Sequence, residues 1–193
     1  MGAMTSRTLL ARHGEALDLF TDRVHAVGAR QWEAPTPCTE WTVRDLVNHL
    51  TAEQLWVPPL LEGATLEDVG DAYDGDVLGD DPVAAWDEAA GAAREAFAAP
   101  GALERTVTLS YGPTGADAYA AQMTADAVVH AWDLSRGIGA DERLSKALVD
   151  FTRREVGPYA DSLAGSGLFA RPVEPPKGAD AQTRLLSLLG RQV

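Results

Sequence analysis

Cysteine is almost absent from this chain. Cys38 stands alone among 193 residues, which rules out an internal disulfide and any multi-thiolate zinc knuckle. Positive charge is scarce as well: 16 lysines and arginines face 29 aspartates and glutamates, for a net charge of −13. A field of that sign repels phosphate backbones and anionic membrane surfaces, so neither nucleic acid nor membrane is an expected partner. The arginines are scattered, with no basic stripe and no aromatic ladder beside one. No run of about 18 apolar residues is present to span a bilayer. The opening MGAMTSRTLL has neither the apolar centre nor the small-residue cleavage site of a signal peptide, so the expected location is the cytoplasm. The leading MGAM, with a second methionine at Met4, reads as an expression remnant and is set aside. No internal repeat is visible.

What is present is helical periodicity over a chain long enough to bury a sizeable core as one domain, 1–193, with 46% hydrophobic residues. Leu9, Leu10, His13, Leu17, Phe20, Val24 and Val27 recur at steps of three and four and predict a first helix over about 6–31. The second has an explicit start. Thr42 is an N-cap, Asp45 completes a capping box, and Trp41 with Leu46 forms a hydrophobic staple. This helix is expected to stop at Pro58 and Pro59. An acidic loop follows, and Asp81 before Pro82 marks the third helix, with Val83, Trp86, Ala90, Ala93 and Phe97 on its face. RTVTLSYG reads as a strand or an extended connection, too small to build a sheet on. A fourth helix is expected over about 115–136 with Gly137 as its cap, a fifth over about 142–156, and a last short helix in ADAQTRLLSLLG.

Two of these helices carry chemistry. Tyr119, Met123, Asp126 and His130 fall along one stripe of the fourth, so a carboxylate and an imidazole stand where a bundle buries apolar groups. An unpaired buried carboxylate is costly, and a cation against it relieves the cost. His49 borders the Leu46 and Leu50 stripe of the second helix, so facing helices bring three candidate ligands together. Two histidines and a carboxylate with an open position form a pattern used for Zn²⁺ and non-haem Fe²⁺. A simpler reading of Asp126 and His130 is a hydrogen-bonded pair at i, i+4, in a metal-free interaction module. Trp41 and Trp132 read as packing. Glu53, one turn after His49, either orients that imidazole or faces solvent, and solvent is its default.

APTPCTEWTVRDLVNHL, DAVVHAWDLSRGIG and the closing DAQTRLLSLLGR together resemble a family of actinobacterial metal-binding proteins. These are relatives of the N-terminal domain of mycothiol-dependent maleylpyruvate isomerase, in the DinB/YfiT-like superfamily. The resemblance runs through essentially the whole chain. It implies an all-α fold, a four-helix bundle in up-down-down-up order with short additional C-terminal helices. It also implies a divalent metal held by His49, Asp126 and His130, with zinc expected first and nickel or iron as alternatives. The family pattern has glutamate where this chain has Asp126, whose side chain is one methylene shorter. The implied function is a metal- and thiol-dependent S-transferase or isomerase, using mycothiol or another low-molecular-weight thiol on an electrophilic small molecule. The alternative is a non-catalytic metal- or small-molecule-binding protein. The expected partners are that small-molecule substrate and the thiol, with a homodimer covering any exposed apolar face. No general base is assigned.

Overall fold

A computed structural model describes residues 5–160 and 170–193; the MGAM reading lies outside them. In chain order the elements are α1 (Ser6–His25), α2 (Val43–Glu62), α3 (Leu66–Val69), α4 (Pro82–Ala98), β1 (Thr106–Leu109), β2 (Gly112–Gly115), α5 (Ala116–Ile138), α6 (Lys146–Val156), a 3₁₀ turn (Gly157–Tyr159) and α7 (Ala181–Leu188). The fold is mostly helical. α1 packs on α5 and α4, and α2 packs on the same two helices from the other side, so four long helices share one interior. α6 lies against α5 and α1, and α7 against α6. None of the described helices is long and apolar enough to cross a membrane.

Among the described residues the core has three apolar clusters, one of them, with Val129, Val149 and Leu185, beneath α6 and α7 and the other two inside the four long helices. Of these two, one gathers Leu17, Phe20, Leu46, Leu50, Trp86, Val128 and Leu134; the other gathers Leu9, Val57, Leu61, Phe97, Tyr119 and Met123. Along α1, α2 and α5 the change from one cluster to the other falls at His13, Gln54 and Thr124, each no more than 1% exposed. A polar layer thus crosses the bundle between its two apolar halves.

Most helix starts follow their caps. The Thr42 side chain accepts from Asp45 N–H while the Asp45 carboxylate accepts from the Thr42 backbone, the reciprocal box expected of that sequence. Trp41 packs against the cluster that contains Leu46. Asp81 caps α4 with Pro82 in its first turn.

The ends depart from expectation in instructive ways. α1 stops at His25 rather than Gln31, because the Gln31 side chain accepts from Gly28 N–H at 2.9 Å and donates to the Ile138 carbonyl at 2.9 Å, folding the segment into turns. α2 does not stop at Pro58 and Pro59 but carries both inside and closes at Gly63, whose φ of 98° suits the left-handed cap. Burial of Val57, Leu60 and Leu61 on either side holds the turn that the prolines weaken. α5 runs past Gly137 to a left-handed cap at Gly139. Gly137 is helical, and a Cβ there would meet the Pro35 carbonyl at 3.3 Å, so that glycine serves close approach of a loop and not capping. α6 begins only at Lys146, capped by Ser145. RTVTLSYG forms one strand of an antiparallel hairpin, paired from Thr106 with Gly115 to Leu109 with Gly112. The acidic loop holds the short α3 with its own capping box, and it is tied to α2 by Arg44 on Asp76 at 2.7 Å and by Asn48 on Gly75 and Val77 at 2.8 Å each.

Candidate metal centre

α2 and α5 face each other where His49, Asp126 and His130 lie. One ligand atom from each lies within 4.8 Å of the others. His49 Nε2 is 3.7 Å from Asp126 Oδ2, and His130 Nε2 is 3.5 Å from Asp126 Oδ1. These separations exceed a normal hydrogen bond. They lie just beyond the roughly 3.3–3.4 Å between neighbouring ligand atoms that tetrahedral zinc bonds of about 2.0–2.1 Å imply. Donor types and spacing therefore fit a divalent cation. Asp126 and His49 each keep about a quarter of their side-chain surface exposed, whereas His130 keeps 3%, so the group opens to solvent on one side.

The charges reinforce one another. Burial works to lower the His49 pKa, but the Asp126 carboxylate and then Glu53 outweigh it, and the imidazole is raised above its ordinary value. Burial works to raise Asp126, and His130 and His49 more than offset it, so the carboxylate is lowered. Glu53 is raised by burial and by Asp126, with both histidines pulling the other way. It is partly buried and coupled to the cluster, which corrects the solvent-facing reading.

Trp41 packs as expected, and it packs on the site: its ring centre lies 4.7 Å from that of His49 and 5.9 Å from that of His130, while the two imidazoles meet edge to face at 5.6 Å. The loop that carries it is braced by Thr36, whose hydroxyl donates to the Trp41 carbonyl at 2.9 Å. Trp132 is buried, with the Arg136 guanidinium 4.6 Å over its ring, as a packing residue would be. His25 is at the surface against Asp87.

Behind His130 lies a second layer that spacing did not reveal. His130 Nδ1 is 2.9 Å from Asp133 Oδ2, and Asp133, fully buried, is held to about pKa 2: burial opposes ionisation, but hydrogen bonds from His130 and Arg191 overcome it. Arg191 Nη2 donates to the same oxygen at 2.7 Å. Cys38 Sγ is 3.4 Å from that oxygen and 3.9 Å from His130 Nδ1. Cys38, His130 and Asp133 thus form a second group with metal-ligand spacing. The Arg191 guanidinium occupies its edge, 3.7 Å from the sulfur, and a fixed cation there opposes a second ion. Burial and then Asp133 push the Cys38 thiol up to about 12, so it stays protonated at neutral pH. The cation and histidine that flank this cysteine are distant in sequence, which is why its neighbours there gave no sign of them. Asp133 was legible in principle, three residues after His130 on the same helix; Arg191 was not. A cavity of about 890 Å³ adjoins these groups, with Cys38, Trp41, His130, Arg136 and Arg191 in its wall.

Comparison with known proteins places this geometry in context. The family described as mycothiol maleylpyruvate isomerase N-terminal domain matches residues 13–135, which contain His49, Asp126, His130 and Asp133. Two relatives from Mycobacterium tuberculosis, the uncharacterized proteins MT0763 of strain CDC 1551 and Rv0738 of strain H37Rv, are each 32% identical over 193 residues, covering 95% of this chain and 98% of the relative. No solved structure matches the chain significantly.

Proposed function

Because the chain belongs to the mycothiol maleylpyruvate isomerase N-terminal domain family, we propose that it binds a divalent cation, zinc in the first instance, and works as a thiol-dependent S-transferase or isomerase on an electrophilic small molecule. The observation that carries this reading is the convergence of His49, Asp126 and His130 on a partly open position. The mutual packing of α1, α2, α4 and α5 supports the DinB-like four-helix bundle, up-down-down-up, as its scaffold.

The residues divide the work. His49 and His130 would hold the ion through Nε2, and Asp126 would bring the negative charge that offsets it. A divalent cation held there would supply Lewis acidity, the chemistry that favours ionisation of a thiol near neutral pH. Trp41 covers the two imidazoles and limits water at that face. Burial and Asp133 push the chain's single cysteine up, which favours a nucleophile that comes with a second substrate.

Purified protein, stripped with chelator and reloaded with zinc, is assayed with mycothiol and a panel of electrophilic unsaturated acids. Conversion that requires both zinc and thiol is expected. Conversion without thiol would remove the transferase reading, and absence of any conversion with zinc bound would leave the non-catalytic binding protein.

A further inference from the structure

The C-terminal segment reaches the metal centre, a point that rests on the reading above. α7 ends in a turn in which Gly190 N–H donates to the Ser187 carbonyl at 3.1 Å and Arg191 N–H to the Leu186 carbonyl at 2.9 Å, with Gly190 at φ +80°. These two bonds and the left-handed glycine define a Schellman turn, whose residue after the glycine usually packs an apolar side chain back on the helix. Here that residue is an arginine, 7% exposed, directed at Asp133. Position 190 needs glycine twice over, for its φ and because a Cβ would lie 2.6 Å from Ala170 Cβ.

A guanidinium has donors and no acceptor. Arg191 Nε meets Asp133 Oδ1 at 3.2 Å, Nη2 meets Oδ2 at 2.7 Å, and Nη1 donates to the Leu189 carbonyl at 2.8 Å. Both oxygens of Asp133 therefore accept, and the 2.9 Å contact with His130 must be donated by Nδ1. A neutral ring with its proton on Nδ1 carries its lone pair on Nε2, the nitrogen facing Asp126. We infer that Arg191 is a positioning residue of the metal centre: through Asp133 it holds the His130 ring with the proton on Nδ1 and Nε2 turned to the ion. Carboxylate partners of this kind fix the tautomer and orientation of metal-binding histidines. The family match ends at residue 135, so the clasp comes from beyond the matched segment.

Two measurements on the full chain test this. Nitrogen-15 shifts of the histidine rings in metal-free protein report the His130 tautomer, and competition with a chromophoric chelator reports affinity for zinc ion alone. Wild type is expected to show the Nδ1–H form. Arg191→Met is expected to lose roughly 10- to 100-fold in zinc affinity and the fixed tautomer, and Arg191→Lys to recover part of both. A wild-type proton on Nε2, or an Arg191→Met protein that keeps both tautomer and affinity, overturns the inference. Should Arg191→Met fail to fold, Gly190→Ala, which forces the turn away from Ala170, decides in the same direction: an unchanged affinity and tautomer overturn it. If wild type takes up no zinc, or His49→Ala takes up as much, the metal reading falls, and the nitrogen shifts still decide the role of Arg191.

Discussion

His13 and His130 are both buried, at 1% and 3% exposure, on the packed helices α1 and α5, yet the fold treats them oppositely. His13 faces Phe97 edge-on at 5.1 Å and meets Thr124 Oγ1 at 3.2 Å. That hydroxyl gives its own proton to the Ala120 carbonyl, so it accepts from His13 Nδ1, and Nε2 finds no hydrogen-bond partner among the described residues. Burial, with Arg94 adding to it, lowers the ring to about pKa 4. His130 instead has a carboxylate at each ring nitrogen, Asp126 and Asp133. Burial makes an imidazole costly to charge, and the arrangement of carboxylates around it decides whether it is confined to a core role or is equipped to serve as a ligand.

The largest break in this comparison is metal uptake. His130→Ala and His49→Ala are expected to abolish tight zinc binding, a loss beyond the roughly 100-fold that removal of a supporting residue causes. His13→Leu is expected to retain it. Equal zinc in wild type and all three variants, measured after chelator dialysis, would erase the distinction.

Acid separates the two histidines next. His13 is neutral in the folded protein down to about pH 4 but takes a proton at its ordinary 6.5 when unfolded. Its folded pKa is depressed, so the unfolded state binds more protons between those values, and stability falls as pH drops from 6.5 towards 4. The loss is about 3 kcal/mol, at about 1.36 kcal/mol per unit. His49 has the opposite sign: its raised pKa adds stability below 6.5 that is lost as pH rises through the folded value. Urea midpoints of zinc-free wild type and His13→Leu from pH 7 to 4 isolate the first effect as their difference. A wild type that falls no more steeply than the variant would show that His13 is not buried neutral.

How much of this could be read in the sequence follows from how far each partner lies along the chain. Asp126 and His130 are one turn apart, and His49 sits beside an apolar stripe with a capped helix start, so local periodicity pointed to all three. The same logic placed Asp81 and Pro82. It misplaced the cap of α5, because Gly137 is reserved for the Pro35 loop, and that approach is a tertiary fact. It ended α2 early because burial of the flanking leucines outweighs what two prolines cost. Cys38 and Arg191 escaped for the same reason: 95 and 58 residues separate them from Asp133, and only the assembled bundle shows the pairing.

The α2 cap gives a smaller effect that sharpens the division between scaffold and site. Thr42→Ala removes the hydroxyl that accepts from Asp45 N–H at 3.2 Å and is expected to cost about 1 kcal/mol in urea unfolding. Zinc affinity of the folded variant should stay at the wild-type value, because the cap lies two turns before His49 and touches no ligand. A drop in affinity of the same size would mean that α2 is held in register by its first turn and not by its buried face.

The smallest expected effect concerns Glu53, whose carboxylate adds to the raised pKa of His49. Zinc must displace the imidazole proton, so uptake falls as pH drops below the folded value, which lies above the ordinary 6.5. Glu53→Gln removes one of the charges holding that proton. The midpoint of zinc uptake should therefore move to lower pH, a shift kept small by partial exposure. At higher pH the same variant should bind zinc slightly more weakly, since the ion loses a nearby negative charge. The two shifts have opposite consequences for binding, so a side chain that merely faces water would produce neither, and a plain loss of folding would not produce the first.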